Sequence, residues 1–478
     1  MADIVLAAIN AKWIHPSLAL RLLKANLREL EDRTEILEFA LRQPLDEKVL
    51  PILSASPKIL GLSVYIWNHR ATLELLEALA AAWEAEGRER PLIVLGGPEA
   101  AYLSADSGLA AAADWIFRGE GEHGFRDLCR SFLGGPEKSG ASGKSAGFAL
   151  SPHIKAIDGK FIETHPADPA SADPGYRLYT GEDLARKLTY VEASRGCPFG
   201  CEFCLSSLDR SVRDFPLDGF LTEMDGLIRR GGRSFKFLDR TFNLDTDRAR
   251  RVMEFFLDRL TPGMFVHFEM VPSRFPRELR ELLTRFPAGS LRLEVGIQTF
   301  NPETARAIGR PSSPELELEN FEFLRNNTAA IVHADLIAGL PGEDFVSFAE
   351  GFDRLWMVRP TEIQLGILKL LPGTPLARHT VPFGMVYSPE PPYEVIETAA
   401  LPRKDLDRIK NFARFWELIV NRGHFEDLGS RLFPEGRRIF GDFMNLSDRL
   451  LARFGKNWGI DRAALRAALE EEAALRAP

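Results

Sequence analysis

The chain has 478 residues, 45% of them apolar and 27% charged, the composition of a folded globular protein. That length exceeds what one hydrophobic core usually serves, so two or three domains are expected. The net charge of −8 gives no reason to expect nucleic acid as a partner. No window reaches the apolar length of a membrane span, and Asp3 stands where a signal peptide would be positive, so a soluble, cytoplasmic protein is expected.

The first segment alternates strand and helix signals. Ile4 to Ala8 reads as a buried strand, and residues 17–31 carry helical apolar spacing. Ile59 to Tyr65 is a second strand, followed by a helix over 71–85. A third strand, 92–95, runs into Gly96-Gly97-Pro98-Glu99. A fourth, 115–118, runs into Gly119-Glu120-Gly121, and a helix follows over about 123–133. This α/β alternation predicts a doubly wound, Rossmann-like parallel sheet over 1–135.

Residues 134–147 are rich in Gly and Ser and open a linker placed at 136–185. The Gly143-Lys144-Ser145 triplet is no Walker A loop, because Lys138 stands where that pattern needs Gly. From 186 the alternation resumes, with strands at 188–193, 234–238, 265–270, 291–297, 332–338 and 363–369. Six βα units predict a partial (β/α)6 barrel over 186–378. Pro-rich residues 378–391 mark a boundary. Helical spacing over 403–422, 444–454 and 461–476 predicts a small helical domain over 379–478. There Phe412, Phe415 and Trp416 are expected to pack.

Three of the four cysteines lie within eight residues, in Arg195-Gly196-Cys197-Pro198-Phe199-Gly200-Cys201-Glu202-Phe203-Cys204. The spacing C-x3-C-x2-C follows the first barrel strand, at the edge where barrel active sites form. Soft thiolates suit an iron–sulfur cluster or zinc. A closed zinc site wants a fourth ligand, and no His or fourth Cys lies nearby. Three thiolates on a four-iron cluster leave one iron open to a substrate group. Zinc completed by a distant residue and three incidental cysteines are the competing readings. Cys129, in a helical run, reads as a buried apolar residue.

The loop resembles the cluster loop of the radical SAM superfamily, with the usual aromatic, Phe203, before the third Cys. Four further segments resemble that superfamily in order: Lys236 to Phe242, Glu294 to Phe300 with Gly309-Arg310, Asp335 to Gly342, and Ile367 to Pro375. The resemblance implies a 4Fe–4S cluster on Cys197, Cys201 and Cys204, with S-adenosylmethionine bound at the open iron. It places Phe203 and the backbone near Ile337 at the adenine, and Glu294 and Gln298 near the ribose and sulfonium. Asp239 stands where this superfamily often has Gly-Gly-Glu, and would meet the methionine amine.

An α/β sheet ahead of such a loop resembles the cobalamin-binding (B12-binding) radical SAM family. Ser63-x-Tyr65 and Gly96-Gly97 match that domain's Ser-x-Leu and Gly-Gly signature, with Tyr for Leu. The implied cobalamin contacts are Asn10, Ser63, Tyr65, Gly96, Gly97, Pro98, Glu99, Gly119, Glu120 and Gly121. The Asp-x-His-x-x-Gly motif of other cobalamin proteins is absent, leaving Trp13, His15 and Asn68 as residues near the cobalt's lower face. By this resemblance a 5′-deoxyadenosyl radical abstracts hydrogen from an unactivated carbon and cobalamin supplies a methyl group; a cobalamin-dependent radical oxidation or ring rearrangement without methyl transfer, and a non-catalytic cobalamin-binding iron–sulfur protein, are the alternatives. An organic substrate and an electron donor such as flavodoxin or ferredoxin are implied partners. His333 and Lys369 are candidate acid–base groups. Without a second cysteine cluster, a methylthiotransferase is disfavoured, and the first sheet argues against a coproporphyrinogen-oxidase-like enzyme.

Overall fold

The computed structural model describes residues 2–134, 153–433 and 436–475. Most of the Gly/Ser-rich stretch, with the Gly143-Lys144-Ser145 triplet, lies outside them. The chain forms two compact units, residues 1–193 with 213–236 and residues 194–212 with 237–478.

The first unit is built on a seven-stranded sheet. Its strands are β1 (Ile4–Asn10), β2 (Thr34–Ala40), β3 (Ile59–Ser63), β4 (Leu92–Gly96), β5 (Trp115–Arg118), β6 (Ile154–Asp158) and β7 (Phe161–Thr164). They lie in the order β2-β1-β3-β4-β5-β7-β6. Strands β1 to β5 and β7 pair in parallel, and β6 returns antiparallel to β7. Strand β1 is apolar on both faces because helices cover both, and its residues Ile4 to Ile9 are buried. The order β2-β1-β3 places a topological switch point between β1 and β3, where the carboxyl ends of neighbouring strands open a crevice.

Three strands here escape the expected pattern. Edge strand β2 carries Glu35 and Glu38 among its apolar residues, so it reads weakly from sequence. The hairpin β6–β7 falls inside the expected linker 136–185. Its signal is Asp158-Gly159, where Gly159 has φ +50°, between runs that bury Ile154, Phe161 and Ile162.

Helix Leu18–Asn26 is fastened by charge. Buried Arg21 reaches Glu38 on β2 at 2.9 Å and Asp183, in helix Gly181–Arg186, at 2.8 Å.

The second sheet comprises β8 (Thr189–Val191), β9 (Ser234–Phe237), β10 (Phe265–Met270), β11 (Leu291–Gln298), β12 (Ile331–Ala338) and β13 (Glu362–Ile367). Its order is β13-β12-β11-β10-β9-β8, and β10 to β13 are parallel. Strands β11 and β12 alternate strictly. Leu291, Leu293, Val295 and Ile297 are buried on one face, while Arg292, Glu294, Gly296 and Gln298 stand on the other. The register sets Glu269, Glu294, His333 and Glu362 in one row across β10 to β13.

The Pro-rich boundary folds into a short hairpin, β14 (Val386–Tyr387) with β15 (Val395–Glu397). Beyond it, helices Arg403–Trp416 and Phe440–Phe454 pack on helix Phe345–Met357 through a buried aromatic cluster. Phe352 meets Trp416 edge-on at 4.9 Å, and Phe412 stacks on Phe440 at 4.8 Å. Asp353 caps the second of these helices from outside, accepting from the Ile439 and Phe440 amides. Among the described residues, no helix is long and apolar enough to cross a membrane.

Candidate functional site

In the second unit, Cys197, Cys201 and Cys204 line one cavity of about 440 Å³, within the size range of small-ligand sites. Phe199 and Phe203 line it from the same loop, and Arg240 and Thr241 from the turn after β9. Glu269, Met270, Ser273 and Arg274 come from β10 and its loop, and Glu294, Gly296 and Gln298 from β11. Arg310 and Asp335 complete the wall.

Burial pushes the Cys197 and Cys201 thiols up. Arg310 works against burial at Cys201, its guanidinium 3.8 Å from Sγ. That guanidinium is aimed by the chain end of β11, since Arg310 Nε donates to the Ile297 carbonyl at 3.0 Å and a terminal nitrogen donates to Gly296. Arg240 pairs with Glu269 at 3.2 Å, and that carboxylate raises its affinity for protons. Glu294 lies 3.3 Å from His267 Nε2. Gln298 ends β11 at φ +72°, beside a register shift between Gly296 and Gln298. A non-glycine residue in that region stores strain, a frequent mark of a ligand site.

The structure brings Phe203, Glu294 and Gln298 to the cavity and leaves two expected residues out. Asp239 is buried, with its carboxylate accepting from Ser194 Oγ at 2.7 Å, and its neighbours Arg240 and Thr241 line the cavity instead. Ile337 lies on β12 beyond Asp335, the wall residue on that strand. His333 pairs with Glu362 at 3.4 Å, and Lys369 Nζ lies 4.0 Å from Glu394; neither lines the cavity. His267 and Glu269 carried no local signal, because register alone brings them to this face, and Arg274 reaches the cavity from the loop after β10.

In the first unit, the ends of β1 and β3 are tied by Asn68. Its Nδ2 donates to the Ile9 and Ser63 carbonyls, and its Oδ1 accepts from the Tyr65 amide. Asn68 is thus a structural clasp. His15 is held 2.7 Å from the Tyr190 hydroxyl, and Trp13 lies under Lys187.

Asn10 donates to Glu38 at 3.1 Å, and Tyr65 stacks on Trp67 at 4.3 Å. Ser63 Oγ is buried at the switch point with no hydrogen-bond partner. Glu99 is buried against His69 at 2.9 Å, and Glu120 accepts from Arg213 and the Ala167 amide.

The expected glycines divide. A Cβ on Gly97 would meet the Val64 carbonyl at 2.7 Å, and one on Gly119 the Thr164 carbonyl at the same distance. Internal packing therefore accounts for both, and a Cβ on Gly121 would strike Leu23. Gly96 has no such neighbour closer than 3.9 Å. Pro98 is exposed beside it.

The donor sets fit the groups the sequence implies. Three soft thiols share one cavity wall, as a cluster binding one thiolate per iron requires. Among the described residues, no three or more His, Cys, Asp or Glu converge as around a single ion. At the switch point of the first sheet, an orphaned hydroxyl and an unobstructed glycine leave room and a donor for a ligand.

An open α/β sheet ahead of a barrel with a three-thiol cavity defines the class. The family model of the B12 binding domain matches residues 4–129, and that of the Radical SAM superfamily matches residues 191–355. The chain thus joins a B12-binding region to a radical SAM region.

Among particular relatives, it is 27% identical to an uncharacterized methyltransferase of Pyrococcus horikoshii, over 69% of this chain and 70% of that protein. It is 24% identical to a probable threonylcarbamoyladenosine tRNA methylthiotransferase of Archaeoglobus fulgidus, over 40% of this chain. That match spans only 47% of the relative's length. The fold matches that of the radical S-adenosylmethionine methyltransferase TsrM from Kitasatospora setae, with a TM-score of 0.59 at 17% identity. The match covers 95% of this chain and 100% of that one.

Proposed function

We propose that this chain is a cobalamin- and S-adenosylmethionine-dependent radical enzyme that methylates an unactivated carbon of an organic substrate. The observation that carries the reading is the shared wall of one cavity by Cys197, Cys201, Cys204, Glu294, Gln298 and Arg310, in a chain that also carries a B12 binding domain. Methyltransferase relatives and the TsrM-like fold support it.

When bound, the cluster supplies an electron for cleaving S-adenosylmethionine, and cobalamin supplies a carrier for the methyl group. Cys197, Cys201 and Cys204 hold the cluster. Arg310, fixed by two strand carbonyls, sets positive charge beside the Cys201 sulfur and offsets the charge of the thiolates. Phe203 offers a flat apolar face to the adenine, while Glu294 and Gln298 offer polar groups to the ribose and sulfonium. Arginines 240, 274 and 310 share the lining with Glu269, Glu294 and Asp335, a balanced set that suits a ligand bearing carboxylate, ammonium and sulfonium groups. Met270, Val271 and Pro272 add an apolar stretch that keeps water from the reacting carbon. Asn10, Ser63, Tyr65 and Gly96 border the cobalamin crevice at the switch point of the first sheet. A flavodoxin- or ferredoxin-type donor supplies the electron.

Anaerobic reconstitution with iron, sulfide and hydroxocobalamin, then reduction with S-adenosylmethionine present, tests the reading. Carbon methylation yields S-adenosylhomocysteine and 5′-deoxyadenosine in equal amounts once a methyl acceptor is supplied. 5′-Deoxyadenosine alone would point to oxidation or rearrangement without methyl transfer, and neither product to a binding protein. The triple change of Cys197, Cys201 and Cys204 to Ala should abolish both the iron–sulfur absorbance and cleavage; a variant that still cleaves S-adenosylmethionine would sink the reading.

A further inference from the structure

Between two of the cavity thiols stands a residue that the cleavage chemistry does not use. Glu202 follows Cys201 directly, and its carboxylate is buried, with 11% of the side chain exposed. Arg378 Nε donates to Oε2 at 2.8 Å, and a second guanidinium nitrogen donates to Oε1. His379 Nε2 lies 2.8 Å from the same Oε2. The backbone is tied as well: the Glu202 amide donates to the Ile308 carbonyl at 2.9 Å, and the Leu376 amide donates to the Glu202 carbonyl at 3.1 Å. One residue thus joins three segments distant in sequence. These are the cysteine loop, the turn after helix Pro302–Ala307, and the turn Pro375–His379 beyond β13.

A buried carboxylate held by a two-point guanidinium contact and an imidazole is a strong, directional junction. Removing Glu202 takes the shared acceptor from Arg378 and His379, and removing Arg378 leaves the buried carboxylate with His379 alone, so the junction weakens with the loss of either side chain. It lies one residue from Cys201 and two from Cys204, where a change in backbone position moves a sulfur. None of the three side chains supplies a soft ligand or lines the cavity wall.

The geometry points to Glu202 as a positioning residue, latched by Arg378 and His379, which holds the cysteine loop in its cluster-receiving shape before any cluster arrives. This inference rests on the reading of the three cysteines as cluster ligands. The latch lowers the ordering cost of seating the cluster and slows its loss, the usual effect of a preorganised outer shell.

The test uses the full chain, reconstituted anaerobically with iron and sulfide. It measures iron and sulfide per chain, the electron paramagnetic resonance spectrum of the reduced cluster, and the rate at which a ferrous chelator strips iron. In Glu202→Ala and in Arg378→Ala iron should be stripped about 10–100-fold faster, with Glu202→Gln between these and the native chain. Because both changes open one latch, the double variant should lose iron no faster than the worse single variant. Full multiplication of the two effects would show independent contributions and overturn the latch. So would a stripping rate and spectrum in Glu202→Ala equal to the native ones. If Glu202→Ala lacks the native far-ultraviolet circular dichroism, Arg378→Ala decides alone, since that side chain is 65% exposed; native stripping there overturns the latch. A native chain that takes up no iron or sulfide would instead refute the cluster reading itself.

Discussion

Glu343 has a buried carboxyl whose Oε1 accepts from Thr299 Oγ1 at 2.5 Å, while its Oε2 meets no partner. Burial pushes its pKa up from 4.5 to about 7. The unfolded chain therefore ionises this group first, and between those values the folded chain binds more protons. Stability should be full below pH 4.5, fall as pH rises to about 7, and level off beyond. The total loss is on the order of 3 kcal/mol. Urea unfolding across that window measures it, and Glu343→Gln should flatten that part of the profile. An unchanged slope in the variant would assign it to other groups. At this scale the sequence was only partly legible. The thiols announced themselves by spacing, whereas Glu343 reads as one more polar residue after Gly342 until burial is known.

Among elements, the fastening of helix Leu18–Asn26 shows how much rests on one charge. Arg21 sits between Glu38 and Asp183, and Asp183 is held down at about 2 against the opposing pull of burial by Lys187, the Thr180 amide and Arg21. Arg21→Met keeps the apolar stem but removes the guanidinium that Glu38 and Asp183 share, leaving Asp183 to Lys187 and the Thr180 amide and Glu38 to Asn10. The expected loss is about 3 kcal/mol, the lower end for a broken buried pair, read as a lower denaturant midpoint. A loss within 1 kcal/mol, roughly the worth of an exposed pair, would show that water reaches the site. Strands β11 and β12 were legible because their alternation survives with one face covered by helices. Edge strand β2 was not, since Glu35 and Glu38 interrupt its apolar residues. Hairpin β6–β7 was missed although Asp158-Gly159 marks its turn; its strands are short, and the Gly/Ser-rich stretch ahead of them suggested a linker.

For the whole molecule, the expected consequence is linkage between ligand and stability. Hydroxocobalamin at a hundredfold excess over its dissociation constant should stabilise the chain by about 2.7 kcal/mol, visible as a rise in Tm. Gly96→Ala tests where that gain arises, because the nearest atom to a Cβ there, Phe117 Cβ, is 3.9 Å away and the fold should tolerate the change. Loss of the Tm shift with an unchanged apo Tm would locate cobalamin at the switch point of the first sheet, and a retained shift would move it elsewhere. Gly97→Ala cannot serve, since it would drive a Cβ into the Val64 carbonyl at φ +101°.

By itself, the sequence determined the two α/β regions, most of their strands, and the three thiols, because periodicity and spacing are local properties. It also pointed to Glu294, Gln298 and Phe203, which lie inside ordered motifs. Only the tertiary structure decided that Arg240 rather than Asp239 faces the cavity. It likewise decided that Gly97 and Gly119 serve packing, and that Glu202 meets Arg378 and His379. Each of these depends on strand register or on contact between segments more than thirty residues apart, and hydrophobic patterning carries no information about which charged side chain will meet which.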